Sequence, residues 1–257
     1  MKIALTLGFL LTAAIYASVG FGGGSTYTAL LAVSGASFTL IPIISLLCNI
    51  CVVSGNSWRY LRRKTVKLSQ VWPLFILSIP AALLGGRLHV SELLFISLLS
   101  LALFIAGTRM VFTKRYADNQ VQALSARTSK LGVLIGGAIG FYSGIVGIGG
   151  GIFLAPILYR LRWGGAQQIA ATCSLFILVN SVAGLVGQLS KSAGASHHAE
   201  ILSYWPLIIA VLIGGTLGNM LSFHMLRPEQ LRRITGILIL IVAVRLALKA
   251  LAMATFI

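Results

Sequence analysis

In this chain of 257 residues 58% are hydrophobic and only 9% are charged, whereas a soluble domain carries roughly 25% charged residues. Several apolar runs approach the ~20 residues needed to cross a hydrocarbon core, so the composition excludes a soluble protein. The net charge of +16 does not imply nucleic acid, because the bases sit in a few loops beside apolar runs, where orientation and anionic headgroups account for them.

The predicted membrane segments are 3–19, a short arm 23–34, 38–57, 70–88, 92–112, 131–147, a second short arm 150–160, 167–188, 202–221 and 230–251. The start, Met1-Lys2 and an apolar run to Val19, has the form of a signal peptide. It occupies the place in the first half that Leu131 to Val146 occupies in the second, so it is read as a mature helix. From Thr113 to Lys130 the chain is polar, with Lys114, Arg115, Asp118, Arg127 and Lys130. This divides the protein into membrane repeat 1 (1–112), a cytoplasmic linker (113–130) and membrane repeat 2 (131–257).

The organising feature occurs once in each half. Residues Ser18 to Ser25 read S-V-G-F-G-G-G-S, and Gly144 to Pro156 read G-I-V-G-I-G-G-G-I-F-L-A-P. In both, an apolar run meets three glycines and continues as a segment too short to span about 30 Å as a helix. Glycines at that depth read as a break in a membrane helix. Unwound backbone there is tolerated only inside protein or beside a water-filled cavity, and paired breaks in two halves point to a transporter's binding site. No Lys-Ser/Thr pair follows the glycines, which argues against a phosphate loop.

The halves also match elsewhere. Asn49 corresponds to Asn180, Trp72-Pro73 to Trp205-Pro206 as helix openings, Gly85 to Gly218 and Arg109 to Arg245. Loop 58–69, with Arg59, Arg62, Arg63, Lys64 and Lys67, reads as cytoplasmic, whereas its equivalent 189–200, with Lys191, His197-His198 and Glu200, reads as external. Matching loops on opposite sides make the fold class an all-α polytopic membrane protein of two inverted-topology repeats, each with a glycine-broken helix and a short arm. Arg160, Arg162, Arg227, Arg232 and Arg233 then fall inside, and both termini outside.

Glu92, Asp118, Glu200 and Glu229 all lie in loops or at helix ends, so no carboxylate is available for a sodium site or a proton relay. A neutral or anionic solute is the better substrate, received by free amides and the positive ends of the two arms. The candidate substrate-binding residues are Gly22, Gly23, Gly24, Ser25, Asn49, Gly149, Gly150, Gly151, Thr172, Cys173 and Asn180. Thr26, Ser174, Ser181 and Gln188 are further polar candidates whose alternative role is helix-to-helix hydrogen bonding. Gly132, Gly136, Gly140 and Gly144, spaced by four, read as a packing stripe. Arg109 and Arg245 read as snorkelling near helix ends, and His197-His198 as a solvated pair rather than a metal site. Cys48, Cys51 and Cys173 form no metal-ligand pattern and, being odd in number, no disulfide framework. No catalytic residue, metal or cofactor is expected.

With these residues the sequence resembles the sulfite exporter TauE/SafE family, also called the toluene-sulfonate uptake permeases. The first break with Pro42 to Asn49 and Trp58-Arg59-Tyr60-Leu61-Arg62-Arg63-Lys64 resembles its first half. G-I-G-G-G-I-F-L-A-P with Ala170-Ala171-Thr172 through Asn180 resembles its second. The resemblance covers nearly the whole chain and implies a permease for sulfur-containing anions such as sulfite, thiosulfate or organosulfonates. Ala29 stands where the second half has Pro156, so the first arm is expected to be less regular. The expected function is a secondary transporter working by alternating access in the cell (inner) membrane, multi-pass, with the lipid bilayer and a small anionic substrate as partners. An anion channel and a non-transporting membrane partner protein are the alternatives, a membrane-embedded enzyme is disfavoured, and a homo-oligomer stays open.

Overall fold

A computed structural model describes residues 2–112, 126–161, 163–191, 201–221 and 228–255. Linker residues 113–125, Arg162, His197-His198, Glu200 and Arg227 lie outside these, as do the side chains of Arg127, Lys130, Glu229, Arg232 and Arg233. The regular elements described are all helices: α1 (Lys2–Val19), α2 (Gly24–Val33), α3 (Leu40–Arg62), α4 (Leu68–Arg87), α5 (Glu92–Phe112), α6 (Ala126–Val146), α7 (Gly151–Arg160), α8 (Ala166–Lys191), α9 (Trp205–Leu221) and α10 (Pro228–Thr255). Among the described residues, four stretches are long and apolar enough to cross a membrane: Leu40–Arg62, Leu68–Arg87, Glu92–Arg109 and Gln167–Lys191. Large apolar side chains such as Leu11, Ile76, Phe104 and Ile241 face outward, which suits lipid and not water. The protein is a helical, multi-pass membrane protein.

Every segment read from the sequence is present, with ends that differ where charge was taken for loop. Helix α3 continues through Trp58 to Arg62, and α6 begins at Ala126, inside the stretch read as linker. Arg and Lys are good helix formers, and at a membrane surface they extend a helix rather than end it. Trp205 opens α9, but Trp72-Pro73 does not open α4, which begins at Leu68 and carries Pro73 and Pro80 inside. The expectation of a less regular first arm is also corrected. Both α2 and α7 have 10 residues, because Ala29 favours helix more than the proline it replaces.

The two halves interlock. Helix α6 packs along α4, and α1 along α9, so each broken helix lies on the fourth helix of the other half. Helices α5 and α10 pair with each other, as do α3 and α8. Small residues permit the closest crossings. A Cβ on Gly136, Gly140 or Gly144 would run into the carbonyl oxygens of Leu74, Ser78 or Ala82, whereas Gly132 has only Leu74 Cδ2 at 3.6 Å. The paired Gly85 and Gly218 behave alike, each backing onto a carbonyl of the facing broken helix, Phe141 O and Ala14 O.

Two buried apolar clusters result. One gathers α2 with Phe9, Leu40, Ile44, Leu99, Val211 and Ile239; the other gathers α7 with Val71, Leu74, Phe75, Ile169 and Phe176. The arms therefore run into different cores, while the glycines at their starts come together.

Candidate functional site at the two helix breaks

The first break is built by glycines that adopt left-handed backbone. Helix α1 ends in a double turn: Gly20 (φ 86°) donates to Ala17 O at 3.1 Å and Phe21 N–H to Tyr16 O at 2.9 Å. This is the Schellman pattern. Helix α6 ends in the simpler left-handed cap, with Gly147 (φ 79°) donating to Ser143 O at 2.8 Å. The arms then start from Gly23 and Gly150, both at φ 81°, and no side chain caps either helix. Two first turns are left with outward amides, each carrying the equivalent of roughly half a positive charge.

Amide side chains hold the ends of the broken helices in place. Asn56 Nδ2 donates to Ala17 O at 3.4 Å, and Gln188 Nε2 donates to Gly144 O at 2.8 Å and Ile145 O at 3.3 Å. Ala17 and Gly144 are equivalent positions, each two residues before the valine that ends its helix. A third-helix amide therefore reaches a carbonyl of the last turn at both breaks, Ala17 O accepting from Gly20 N–H as well.

Asn49 joins the breaks. From the middle of α3 its Nδ2 donates to Ile148 O, across the halves, at 3.1 Å. A Cβ on Gly22 would stand 2.6 Å from Asn49 Oδ1, and one on Gly149 3.0 Å from its Nδ2. On Gly24 it would collide with both Asn49 Nδ2 and Ile148 O. The start of α2 and the backbone before α7 thus lie against each other, with one carboxamide between them. Every residue from Gly22 to Ala29 and from Ser143 to Gly151 is buried.

The other sequence candidates divide. Gly150 and Gly151 pack on α8 at Phe176 and Ile177, and Ser181 Oγ lies 3.0 Å from a Cβ on Gly149. Ser25 is buried in the first turn of α2, and Thr26 Oγ1 pairs with Tyr16 OH at 3.0 Å. Thr172 and Asn180 bond within their own helix: Thr172 Oγ1 donates to Gln168 O at 2.9 Å and Asn180 Nδ2 to Phe176 O at 2.8 Å. Ser174 Oγ pairs with Ser57 Oγ at 3.1 Å, linking α8 to α3. Cys173 is buried in the α7 cluster; Cys48, Cys51 and Cys173 are all free thiols. Arg109 and Arg245 are exposed, and no cluster of metal-ligating side chains occurs among the described residues.

Sequence reasoning missed Asn56, Tyr27 and Ser143. Tyr27 OH, Ser143 Oγ and Ser181 Oγ are buried without hydrogen-bond partners, as are Asn49 Oδ1 and Asn180 Oδ1. Tyr27 OH would stand 3.3 Å from a Cβ on Gly23, and Ser143 Cβ 3.5 Å from one on Gly150. Their spacing was the available signal: Tyr27 lies one turn after Gly23, and Ser143 one turn before Gly147.

Comparison with known proteins agrees with this architecture. The family model described as "Sulfite exporter TauE/SafE" matches residues 5–246. A probable membrane transporter protein, y4hK, of Sinorhizobium fredii is 35% identical over 95% of this chain and 97% of its own length. A second, YjnA of Bacillus subtilis, is 26% identical over 96% of this chain and 100% of its own. No solved structure matches. With the match running from the first broken helix into the last helix, the chain belongs to the sulfite exporter TauE/SafE family.

Proposed function

We propose that this protein is a secondary transporter that moves small sulfur-containing anions, such as sulfite, thiosulfate or an organosulfonate, across the cell (inner) membrane by alternating access. The observation that carries the reading is the meeting of two glycine breaks around Asn49, with two helix N-termini starting there. Free amides and dipole ends bind anions without any charged side chain, and paired broken helices are how transporters build a site within the bilayer.

The transport cycle follows from the closeness of the contact. Gly24 and Ile148 touch, so an anion enters only when the two breaks separate, and a site that must open to load suits alternating access better than an open pore. On this reading 1–112 and 131–257 are inverted copies joined by a cytoplasmic linker at 113–130. The exchange of helices between the halves, α1 onto α9 and α6 onto α4, supports that arrangement. The substrate contacts are Gly22, Gly23, Gly24, Ser25, Asn49, Gly149, Gly150 and Gly151. Thr172, Cys173 and Asn180 come into play only if α8 turns as the site opens.

Uptake of radiolabelled sulfite and thiosulfate into proteoliposomes tests the proposal. Saturable uptake, inhibited by other sulfur anions, is expected. Flux that rises linearly with concentration indicates the channel alternative, and silence towards every sulfur anion defeats the reading.

A further inference from the structure

The bases at the end of α3 fall on two sides of the helix with different surroundings. Arg62 is turned over the ring of Trp58, 5.8 Å from its centre. Arg59 and Arg63 stand one turn apart, a spacing at which like charges repel, and both lie close enough to the Tyr60 phenol to act on it electrostatically. The ion pair seen among the described residues is Lys249 with Glu92, so no described carboxylate neutralises either base. Arg59 Nη1 reaches Asn219 O in the last turn of α9, at 3.4 Å, and Arg63 is exposed.

This side of α3 leads back to the breaks. Asn49, Val53, Asn56, Tyr60 and Arg63 recur at helical spacing along one face. Asn49 Oδ1 and Val53 Cγ1 stand 2.6 and 3.1 Å from a Cβ on Gly22, and Tyr60 OH 2.5 Å from one on Gly20. Between them Asn56 Nδ2 donates to Ala17 O at 3.4 Å. The end of the first broken helix therefore lies along this stripe. Burial falls along it: Asn49, Val53 and Asn56 are buried, Tyr60 is half-buried with Arg59 beside it, and Arg63 is open.

We propose that this face of α3 lines the anion's route between the breaks and the surface at loop 58–69, and that Arg59 and Arg63 gather the anion at its mouth. The inference rests on the transport reading above and adds an outer station to it. Two guanidiniums beside a low-dielectric wall raise the local concentration of small anions, and their planar donors suit the oxygens of an oxyanion or sulfonate. An exposed station holds its ligand weakly, as a route requires, since the anion must leave it to reach the amides at the breaks. Tyr60 covers Gly20 in this structure, so the anion passes when the first break draws away from the phenol.

The test is uptake of radiolabelled thiosulfate by the full chain in phosphatidylcholine proteoliposomes of sorted orientation, with loop 58–69 facing the label. Arg63→Gln is expected to raise KM about three- to tenfold and to leave kcat within about twofold, at the low end of electrostatic effects on association. Arg59→Gln should act in the same direction. Arg62→Gln removes the same charge from the same turn but should keep KM within about twofold, because that side chain faces away from the route. At about 1 M ionic strength, where charges are screened within about 3 Å, the Arg63→Gln effect should vanish. Arg63 is exposed and Arg63→Gln breaks no packing, so the result does not depend on how well Arg59→Gln folds. An unchanged KM in Arg63→Gln, or an equal rise in Arg62→Gln, overturns the route while leaving transport intact. A rise that appears only when anionic lipid is added assigns the bases to headgroups and also overturns it. Absence of thiosulfate and sulfite uptake by the unaltered protein overturns the transport reading itself.

Discussion

The two breaks share a glycine pattern but not a set of contacts. At the second, Gly147 is pressed on the backbone of Pro42, and Ile148 O receives Asn49 from the opposite half. At the first, Gly20 faces the phenol end of Tyr60, and the residue equivalent to Asn49, Asn180, bonds back to Phe176 on its own helix. Phe21 is partly exposed where Ile148 is buried. The two breaks thus share a glycine pattern with different caps, and the side-chain bond from one third helix to the opposite break is seen for Asn49 and not for Asn180. On the proposed inverted-repeat reading this is one conformational state, with the second break locked and the first free to engage.

The largest effect should come from filling the locked side. Gly147→Ala requires positive φ of an L side chain and drives a Cβ into Pro42, together about 3 kcal/mol or more. Gly20→Ala meets only the movable end of Tyr60 and should cost about 1–2 kcal/mol. Unfolding in detergent compares them directly, and equal losses would remove the distinction between the breaks.

Next comes the carboxamide pair. Asn49→Ala leaves Ile148 O buried and without this donor, a loss of about 1–3 kcal/mol. Asn180→Ala removes one bond within a helix together with a buried carbonyl that has no partner, so it should change stability by about 0.5 kcal/mol or less. A larger loss from Asn180→Ala in the same assay would reverse the assignment of the locked side.

The helix-end amides sharpen the comparison further. Gln188→Ala gives up bonds at 2.8 and 3.3 Å, and Asn56→Ala one at 3.4 Å. Losses of about 1–1.5 and 0.5 kcal/mol are expected, in that order. The smallest effect should be Glu92→Gln. Its ion pair with Lys249, at 3.3 Å, joins α5 to α10 on an exposed surface, and such pairs contribute about 0.2–1 kcal/mol. High salt should abolish that difference and leave the Asn49 effect unchanged.

The fold was largely legible because hydropathy and glycine runs report directly on bilayer crossing. Where reading failed, charge was the cause: Trp58 to Arg62 looks like loop, yet it completes α3, and Arg62 stacks on Trp58 5.8 Å from the ring centre. That the glycines of the two breaks and Asn49 come together was legible, since repetition marks them in the sequence. For Thr172 and Asn180 the sequence left two roles open, and the structure shows a bond within their own helix for each. A polar side chain in a helix can bond its own preceding turn or a neighbouring helix, and the residue type is the same in both cases. Tyr27 and Ser143 escaped because an aromatic ring and a lone serine in apolar helices look like packing until their hydroxyls are found without partners.

The central claim is that an anion sits where the breaks meet. The most direct measurement is an experimental structure determined with selenite, whose selenium can be located by anomalous scattering. One peak within hydrogen-bonding distance of both Gly24 and Gly149, with Asn49 beside it, is the expected result. A peak confined to the basic end of α3 at Arg59, Arg62 and Arg63, in protein that still transports, would contradict it.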